Sequence, residues 1–240
     1  MNRILFEKAE ITDGIATFGG ERAEHVMNVL HGEVGQIIKT GEVDGLIGTS
    51  EILETGEVIK AKVNHTGKSI EPWIDIILAP PRPRVMKRLL PQLATLGVGR
   101  IFLVGAKKVE KDFWGATLLK PENYRPLLID GLMQAGTSIL PTLETRRNFR
   151  KFVQEELDTL FPSSTRIIAH PYTSQTSQTF RTSRTSLLLA IGPEGGWTDD
   201  EVALLEEHGF TRYSLGSRIL RTDTATIALL AQLMKECGTC

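Results

Sequence analysis

Apolar residues in the first seventy positions fall in short runs, several of them alternating with polar neighbours. Ile4-Leu5-Phe6, Ile15-Ala16-Thr17-Phe18, Gln36-Ile37-Ile38-Lys39, Leu46-Ile47-Gly48-Thr49 and Val58-Ile59-Lys60-Ala61-Lys62-Val63 read as strands. Asp13-Gly14, Gly19-Gly20, Asp44-Gly45 and Thr55-Gly56 supply turns between them. One short helix, Glu21 to Leu30, interrupts the series. Many short strands with glycine turns argue for a small β-barrel over residues 1–70. Gly67-Lys68-Ser69 and Glu71-Pro72 then mark a boundary.

Over residues 71–240 the rhythm changes to alternating strands and helices. Strands are expected at Trp73–Ala79, Arg100–Val104, Arg166–His170, Ser186–Ile191 and Arg212–Leu215. Helices are expected at Arg84–Leu96, Glu122–Ala135, Phe149–Leu160, Asp199–His208 and Thr222–Lys235. That alternation predicts an α/β domain, a mostly parallel sheet with helices on both faces. Thr198-Asp199-Asp200-Glu201 is a helix-start signal, with a capping residue and acids in the first turn. The stretch Thr173 to Ser186 is nearly all Ser, Thr, Gln and Arg, too polar for a core, and reads as a mobile excursion.

Composition narrows the class. Hydrophobic residues make up 41% of the 240 and charged residues 24%, an ordinary globular balance. No apolar run approaches the roughly 18 residues that span a bilayer, and the start, Met1 to Glu7, turns acidic too soon for a secretory signal. The two cysteines, Cys237 and Cys240, sit at the end of the chain. A structural zinc needs a second ligand pair that the sequence lacks, so no metal is expected, and the compartment reads as reducing and cytoplasmic. The net charge of −1 hides an asymmetry: residues 1–70 are acidic, whereas residues 82–150 are basic through Arg82, Arg84, Lys87, Arg88, Arg100, Lys107, Lys108, Lys111, Arg125, Arg146, Arg147 and Arg150. Charge alone does not separate a phosphate-binding face from solvated helix surfaces.

The candidate chemistry lies in two glycine-bearing turns. Ile191-Gly192-Pro193-Glu194-Gly195-Gly196-Trp197 and Leu215-Gly216-Ser217-Arg218-Ile219-Leu220-Arg221 each follow a strand-type run and precede a helix. Glycine lets a ligand approach the backbone, and Gly195 is the position where a side chain is expected to block it. Two such turns at the carboxyl ends of strands read as one ligand crevice. The first turn is neither a P-loop, since no Lys-Ser/Thr follows, nor the dinucleotide fingerprint. His170 ends an apolar strand and either lines the crevice or is a satisfied strand-end histidine. Arg82 and Arg84 flank Pro83, a rigid place to present cations to phosphate. Trp73, Trp114 and Trp197 read first as core or interface anchors.

Together with Leu78-Ala79-Pro80-Pro81-Arg82-Pro83 and Ala94-Thr95-Leu96-Gly97-Val98, these turns and the following Thr222-Asp223-Thr224-Ala225 resemble the SPOUT-superfamily 16S rRNA uridine N3-methyltransferases. The resemblance runs over nearly the whole chain. It implies a PUA-like RNA-binding barrel containing Glu24 to Leu30, an α/β domain with a deep trefoil knot, and a homodimer. It further implies S-adenosylmethionine held by His170, Ile191, Gly192, Pro193, Glu194, Gly195, Gly196, Leu215, Gly216, Arg218, Ile219 and Leu220. The substrate it implies is 16S rRNA or the small ribosomal subunit, with Arg3, Arg22, Arg82 and Arg84 as RNA contacts. The sequence departs from the family pattern at His31, Met133, Thr137 and Asp223, which leaves open a non-catalytic or retargeted relative that keeps the cofactor pocket.

Uracil N3 must lose its proton before it can be methylated. A fixed guanidinium beside a ring carbonyl would favour the anion, and Arg221 is the candidate, with Arg218 second. Asp223 would orient that arginine or help remove the proton; alternatively the two form an ordinary ion pair at the start of a helix. Gln134, on a helix, either hydrogen-bonds a base or faces solvent.

Overall fold

The structure is a computed structural model that describes residues 1–172 and 186–236. The polar stretch after Tyr172 and the Cys237/Cys240 tail, with the expectations attached to them, lie outside the described residues. Contacts divide the chain into two units, Met1–Glu71 with Arg125–Leu140, and Pro72–Tyr124 with Pro141–Cys240.

The first unit contains β1 (Ile4–Phe6), β2 (Ile11–Thr12), β3 (Ile15–Gly19), α1 (Glu21–Asn28), β4 (Ile37–Glu42), β5 (Ile47–Glu54) and β6 (Val58–Gly67). Its strands form a six-stranded sheet in the order β1-β4-β5-β6-β3-β2. Only β1 and β4 pair in parallel. Alternation sends Phe6, Phe18, Ile38, Ile52 and Ile59 into a core closed by Ala23 and Val26 of α1. Asp13 and Gly14 adopt positive φ of 50° and 75°, as the tight hairpin between β2 and β3 requires.

The second unit contains β7 (Ile74–Leu78), α2 (Pro83–Thr95), β8 (Val98–Val104), the start of α3 (Pro121–Ala135), β9 (Thr142–Arg146), α4 (Phe149–Glu155), α5 (Leu157–Leu160), β10 (Thr165–Ala169), β11 (Leu187–Ile191), α6 (Asp199–Glu207), β12 (Thr211–Tyr213) and α7 (Thr222–Glu236). Its sheet runs β12-β10-β11-β7-β8-β9 and every pairing is parallel. Every residue of β11 is buried, which is why this strand reads as an unbroken apolar run. Ile77, Phe102, Val104, Ile168, Leu188 and Ala190 share a cluster with Phe149, Phe152, Leu157, Val202 and Leu205 from α4, α5 and α6. The intervening strand residues point to the other face, where α2 and α7 pack together, so helices cover both faces as expected. At the start of α6 the expected capping box is present, with the Thr198 and Glu201 side chains exchanging hydrogen bonds with each other's backbone.

The structure differs from the expected elements in three places. The helix expected over Phe149–Leu160 is broken at Glu156 into α4 and α5. β9 was not expected, because an edge strand of sequence Thr-Leu-Glu-Thr-Arg, largely exposed, carries little apolar pattern. Residues 125–140 group with the first unit through backbone and hydroxyl contacts that no periodicity announces. The Met133 carbonyl accepts from the Asn2 and Arg3 amides at 2.9 and 3.1 Å, and the Ser138 hydroxyl donates to Gly45 O at 2.7 Å. Among the described residues no helix is long and apolar enough to cross a membrane.

Candidate functional site

The carboxyl ends of the neighbouring strands β12, β10 and β11 carry three loops, and short hydrogen bonds tie them together. The His170 amide donates to Tyr213 O at 3.0 Å. The Ser214 hydroxyl donates to Pro171 O at 3.2 Å and accepts from the Gly216 amide at 3.1 Å. Thr222, the first residue of α7, sets its hydroxyl 3.5 Å from Gly192 O. The glycine turn closes on itself, with the Gly196 amide donating to Pro193 O at 2.8 Å. The two turns singled out in the sequence therefore do share one edge of one sheet.

The glycines do different jobs. A Cβ on Gly192 would come within 3.0 Å of the Trp197 indole. Trp197 is buried and packs on Phe149 with ring centroids 5.2 Å apart, so it is the core anchor expected, and Gly192 makes room for it. At Gly195 a Cβ would meet the aliphatic chain of Lys108 at 3.0 Å, and the Lys108 ammonium donates to Gly195 O at 2.8 Å. Gly196 and Gly216, with φ of 70° and 116°, need glycine for their backbone, and nothing lies within 4 Å of where a Cβ would stand. Those two positions leave the backbone open to a ligand.

Around them, Ile191, Gly192 and Pro193 are buried, while Glu194, Gly195, Gly196, Leu215, Arg218 and Ile219 are exposed and Leu220 half-exposed. Ile219 at 72% and Leu215 at 40% are unusually bare for aliphatic side chains and together offer apolar surface beside the open glycines. His170 is half-buried, its Nδ1 accepting from the Tyr172 amide at 3.2 Å.

Arg221 stands exposed immediately before α7, its carbonyl accepting from the Ala225 amide at 2.8 Å. Among the described residues no carboxylate lies within 4 Å of the Arg221 or Arg218 guanidinium. Asp223 does not pair with Arg221, so the ion pair expected at the start of the helix is not formed. Its carboxylate sits 3.6 Å from Arg88 of α2 and accepts from the Thr224 amide at 2.9 Å. Gln134 lies in the first unit, its side chain exposed and its carbonyl bonded to the Asn2 amide group at 2.7 Å.

The four arginines expected to contact RNA divide sharply. Arg3 donates to Gly136 O at 3.0 Å, Thr40 O at 2.6 Å and Gly48 O at 2.8 Å, so its guanidinium is a strut inside the first unit. Arg22 grips Glu10 with two nitrogens and donates to Leu5 O at 2.8 Å. The guanidiniums of these two, expected to contact RNA, are thus engaged within the first unit. Arg82 is exposed and pairs with Glu110 at 3.0 Å; that bond, with the charges of Glu110 and Glu194, holds it above its usual pKa. Arg84 is exposed at the start of α2, with no carboxylate partner among the described residues. Sequence reasoning passed over Arg88, Lys108 and Thr222, whose partners are far along the chain. The described residues contain no group of three or more His, Cys, Asp or Glu side chains able to hold a metal.

A parallel α/β unit with glycine-bearing loops tied together at its carboxyl edge defines a class of ligand-binding domain, and the comparisons narrow it. Residues 69–234 match the family described as "RNA methyltransferase domain". A ribosomal RNA small subunit methyltransferase E of Treponema pallidum is 31% identical over 242 residues, covering 98% of this chain and 91% of that protein. A methyltransferase from Legionella pneumophila, solved with its bound cofactor SAM, superposes with a TM-score of 0.76 at 26% identity, covering 98% and 97% of the two chains. The ribosomal RNA small subunit methyltransferase E of Neisseria gonorrhoeae, at 21% identity and covering 99% and 98% of the two chains, shares the fold with a TM-score of 0.77. The chain belongs to the RNA methyltransferase family, among the small-subunit rRNA methyltransferases of the SPOUT class.

Proposed function

We propose that this chain is an enzyme that methylates N3 of a uridine in 16S rRNA, with S-adenosylmethionine as methyl donor. The observation that carries the reading is the hydrogen-bonded cluster of loops at the carboxyl edge of β10, β11 and β12, open at Gly196 and Gly216. Its residues fit the cofactor. The bare side chains of Leu215 and Ile219 suit a purine face, the open glycine backbone offers amides and carbonyls to polar edges, and exposed Glu194 balances a cationic centre. His170, Glu194, Gly196, Leu215, Gly216, Ile219 and Leu220 would hold the group, with Ile191 and Gly192 contributing backbone only. When bound, S-adenosylmethionine supplies an electrophilic methyl on a sulfonium.

The remaining work falls to this chain's own residues. Arg221, free of any carboxylate among the described residues, stabilises the uracil anion by pairing with a ring carbonyl as the N3 proton passes to water. Asp223 acts through the helix start: bonded to the Thr224 amide and paired with Arg88, it fixes the first turn of α7, and with it the residue just before that helix. Gln134 and Arg84 are base and phosphate contacts in the same proposal. A PUA-like closure of the first unit, a trefoil knot in the second, a homodimer and a cytoplasmic location complete it, supported by the family resemblance.

The test is a methyl-transfer assay with isotopically labelled S-adenosylmethionine on small subunits and on free 16S rRNA, with the modified nucleoside identified by mass spectrometry. N3-methyluridine in 16S rRNA is the expected product. Methylation of another atom or another RNA would overturn the assignment, and cofactor binding without transfer to any RNA would establish the retargeted or non-catalytic relative.

A further inference from the structure

The cations of the basic stretch over residues 82–150 are not all neutralised. Arg82, Arg88, Arg100, Arg125 and Arg146 are each paired with a carboxylate. Lys107, Arg147 and Arg150 have no carboxylate partner among the described residues, and all three line one cavity of about 360 Å³ in the second unit. The cavity lies where the chain leaves β8 and β9, with Asn148 and Phe149 on one side and the first turn of α6 on the other.

The chemistry of the lining favours an anion. Glu201 is one of two carboxylates there, and it is occupied by the Lys107 amide at 2.7 Å and the Thr198 amide at 2.8 Å. Asp200 is the other and is exposed. Arg147 is held in place: it donates to Trp114 O at 3.2 Å, and its guanidinium carbon lies 5.8 Å from the Trp114 ring centroid. A guanidinium positioned this way keeps other N–H groups free, and the planar fork suits phosphate oxygens. A Cβ on Gly105 would collide with Arg147 O at 2.0 Å, so the backbone around the cavity is tightly packed and its cations are presented from fixed segments.

We infer that this cavity seats a phosphodiester of the RNA strand, at a distance from the cofactor loops. The inference rests on the RNA-methyltransferase reading and extends it to a second binding point on the same sheet edge. β8 and β9 lie two and three places from β11 in the sheet, about 10 and 14 Å at the usual strand spacing. A strand whose target base reaches the β11 loop therefore runs past the cavity within a few nucleotides. The two sites also touch through covalent neighbours: Lys108, which holds Gly195 O, follows Lys107, and Thr198 follows Trp197 of the glycine loop.

The test neutralises the cavity in the full-length chain with K107Q/R147Q/R150Q, all exposed positions, against a control, K87Q/K120Q, at exposed lysines of the same unit outside the cavity. Binding of 16S rRNA is measured across a salt series, alongside calorimetry with S-adenosylmethionine and a thermal melt. The cavity variant is expected to keep its melting temperature and cofactor affinity and to bind RNA more weakly. Its log–log salt slope is expected to shrink by about 0.7 for each phosphate of a single strand that the protein no longer neutralises. An unchanged slope, or an equal weakening in the control, overturns the assignment while leaving the enzymatic reading intact. Failure of the unmutated protein to bind RNA at all overturns both. If the triple variant melts early, the single R150Q change carries the same expectation for one phosphate, and an unchanged slope there has the same force.

Discussion

The two units use arginine differently. In the first, Arg3, Arg22 and Arg125 are held by carbonyls and carboxylates of the same unit, and Arg3 joins Thr40, Gly48 and Gly136 across long stretches of sequence. In the second, Arg100, Arg146, Arg166 and Arg212 are paired with carboxylates too, but Arg147, Arg218 and Arg221 in strand-end loops and Arg150 in the first turn of α4 have no carboxylate within 4 Å among the described residues. The former cations stabilise the fold and the latter face whatever enters from solvent. The lesson is that a basic composition says little until each cation's partner is known: an acidic unit can hide structural arginines, and a neutral chain can expose reactive ones.

The comparison breaks most sharply at Arg221. Arg221→Lys is expected to keep cofactor and RNA binding and to lower turnover by roughly 10²–10³-fold, because an ammonium keeps the charge but not the planar fork. Raising the pH should partly restore it, since hydroxide then supplies more of the N3 anion. Turnover at the unmutated level, or a defect confined to RNA affinity, would move Arg221 out of the catalytic role.

Next in size is the opposite arginine. Arg3→Met removes three bonds to backbone carbonyls and should cost about 2–3 kcal/mol of stability by leaving part-buried acceptors unpaired. Arg221→Met should alter stability by no more than about 0.5 kcal/mol. Denaturant melts of the two variants side by side check this, and equal destabilisation would erase the distinction between the units.

The smallest effect concerns His65, whose Nε2 lies 2.8 Å from the Thr40 hydroxyl. Burial, and then the charge of Arg3, hold its pKa below the ordinary histidine value. With the folded value lowered, the unfolded chain binds more protons as pH falls below about 6.5, so stability is full above that pH and declines beneath it. Thermal melts between pH 7.5 and 5.5, where carboxylates stay ionised, should show that decline, and His65→Gln should flatten it. An identical slope in the variant would remove His65 as the cause.

Legibility in the sequence followed apolar content. β7, β8, β10 and β11 announced themselves because each carries a continuous run of three or more apolar residues, and the turns after β11 and β12 because glycine marks them. β9 did not, being a polar edge strand. Residues 125–135 were legible as helix, but the segment 125–140 was not legible as part of the first unit, because backbone carbonyls make much of the attachment. Side-chain roles were least legible: the ties of Arg3 to Gly136 and Asp223 to Arg88 join residues 133 and 135 positions apart. Likewise, two glycines of one loop serve unlike ends, Gly192 clearing space for Trp197 and Gly196 providing an open turn.

The central claim is that the loops at the carboxyl ends of β10, β11 and β12 form the cofactor site, open at Gly196 and Gly216. Calorimetric titration of S-adenosylmethionine into the unmutated chain and into Gly216→Val tests it most directly, with melts to show that the variant is folded. A valine at φ of 116° would be strained and would project into the open space beside Leu215 and Ile219. The account predicts saturable binding to the unmutated protein and at least about tenfold weaker binding to the folded variant, a change of about 1.4 kcal/mol. Undiminished affinity in a folded Gly216→Val, or no binding by the unmutated chain, would contradict it.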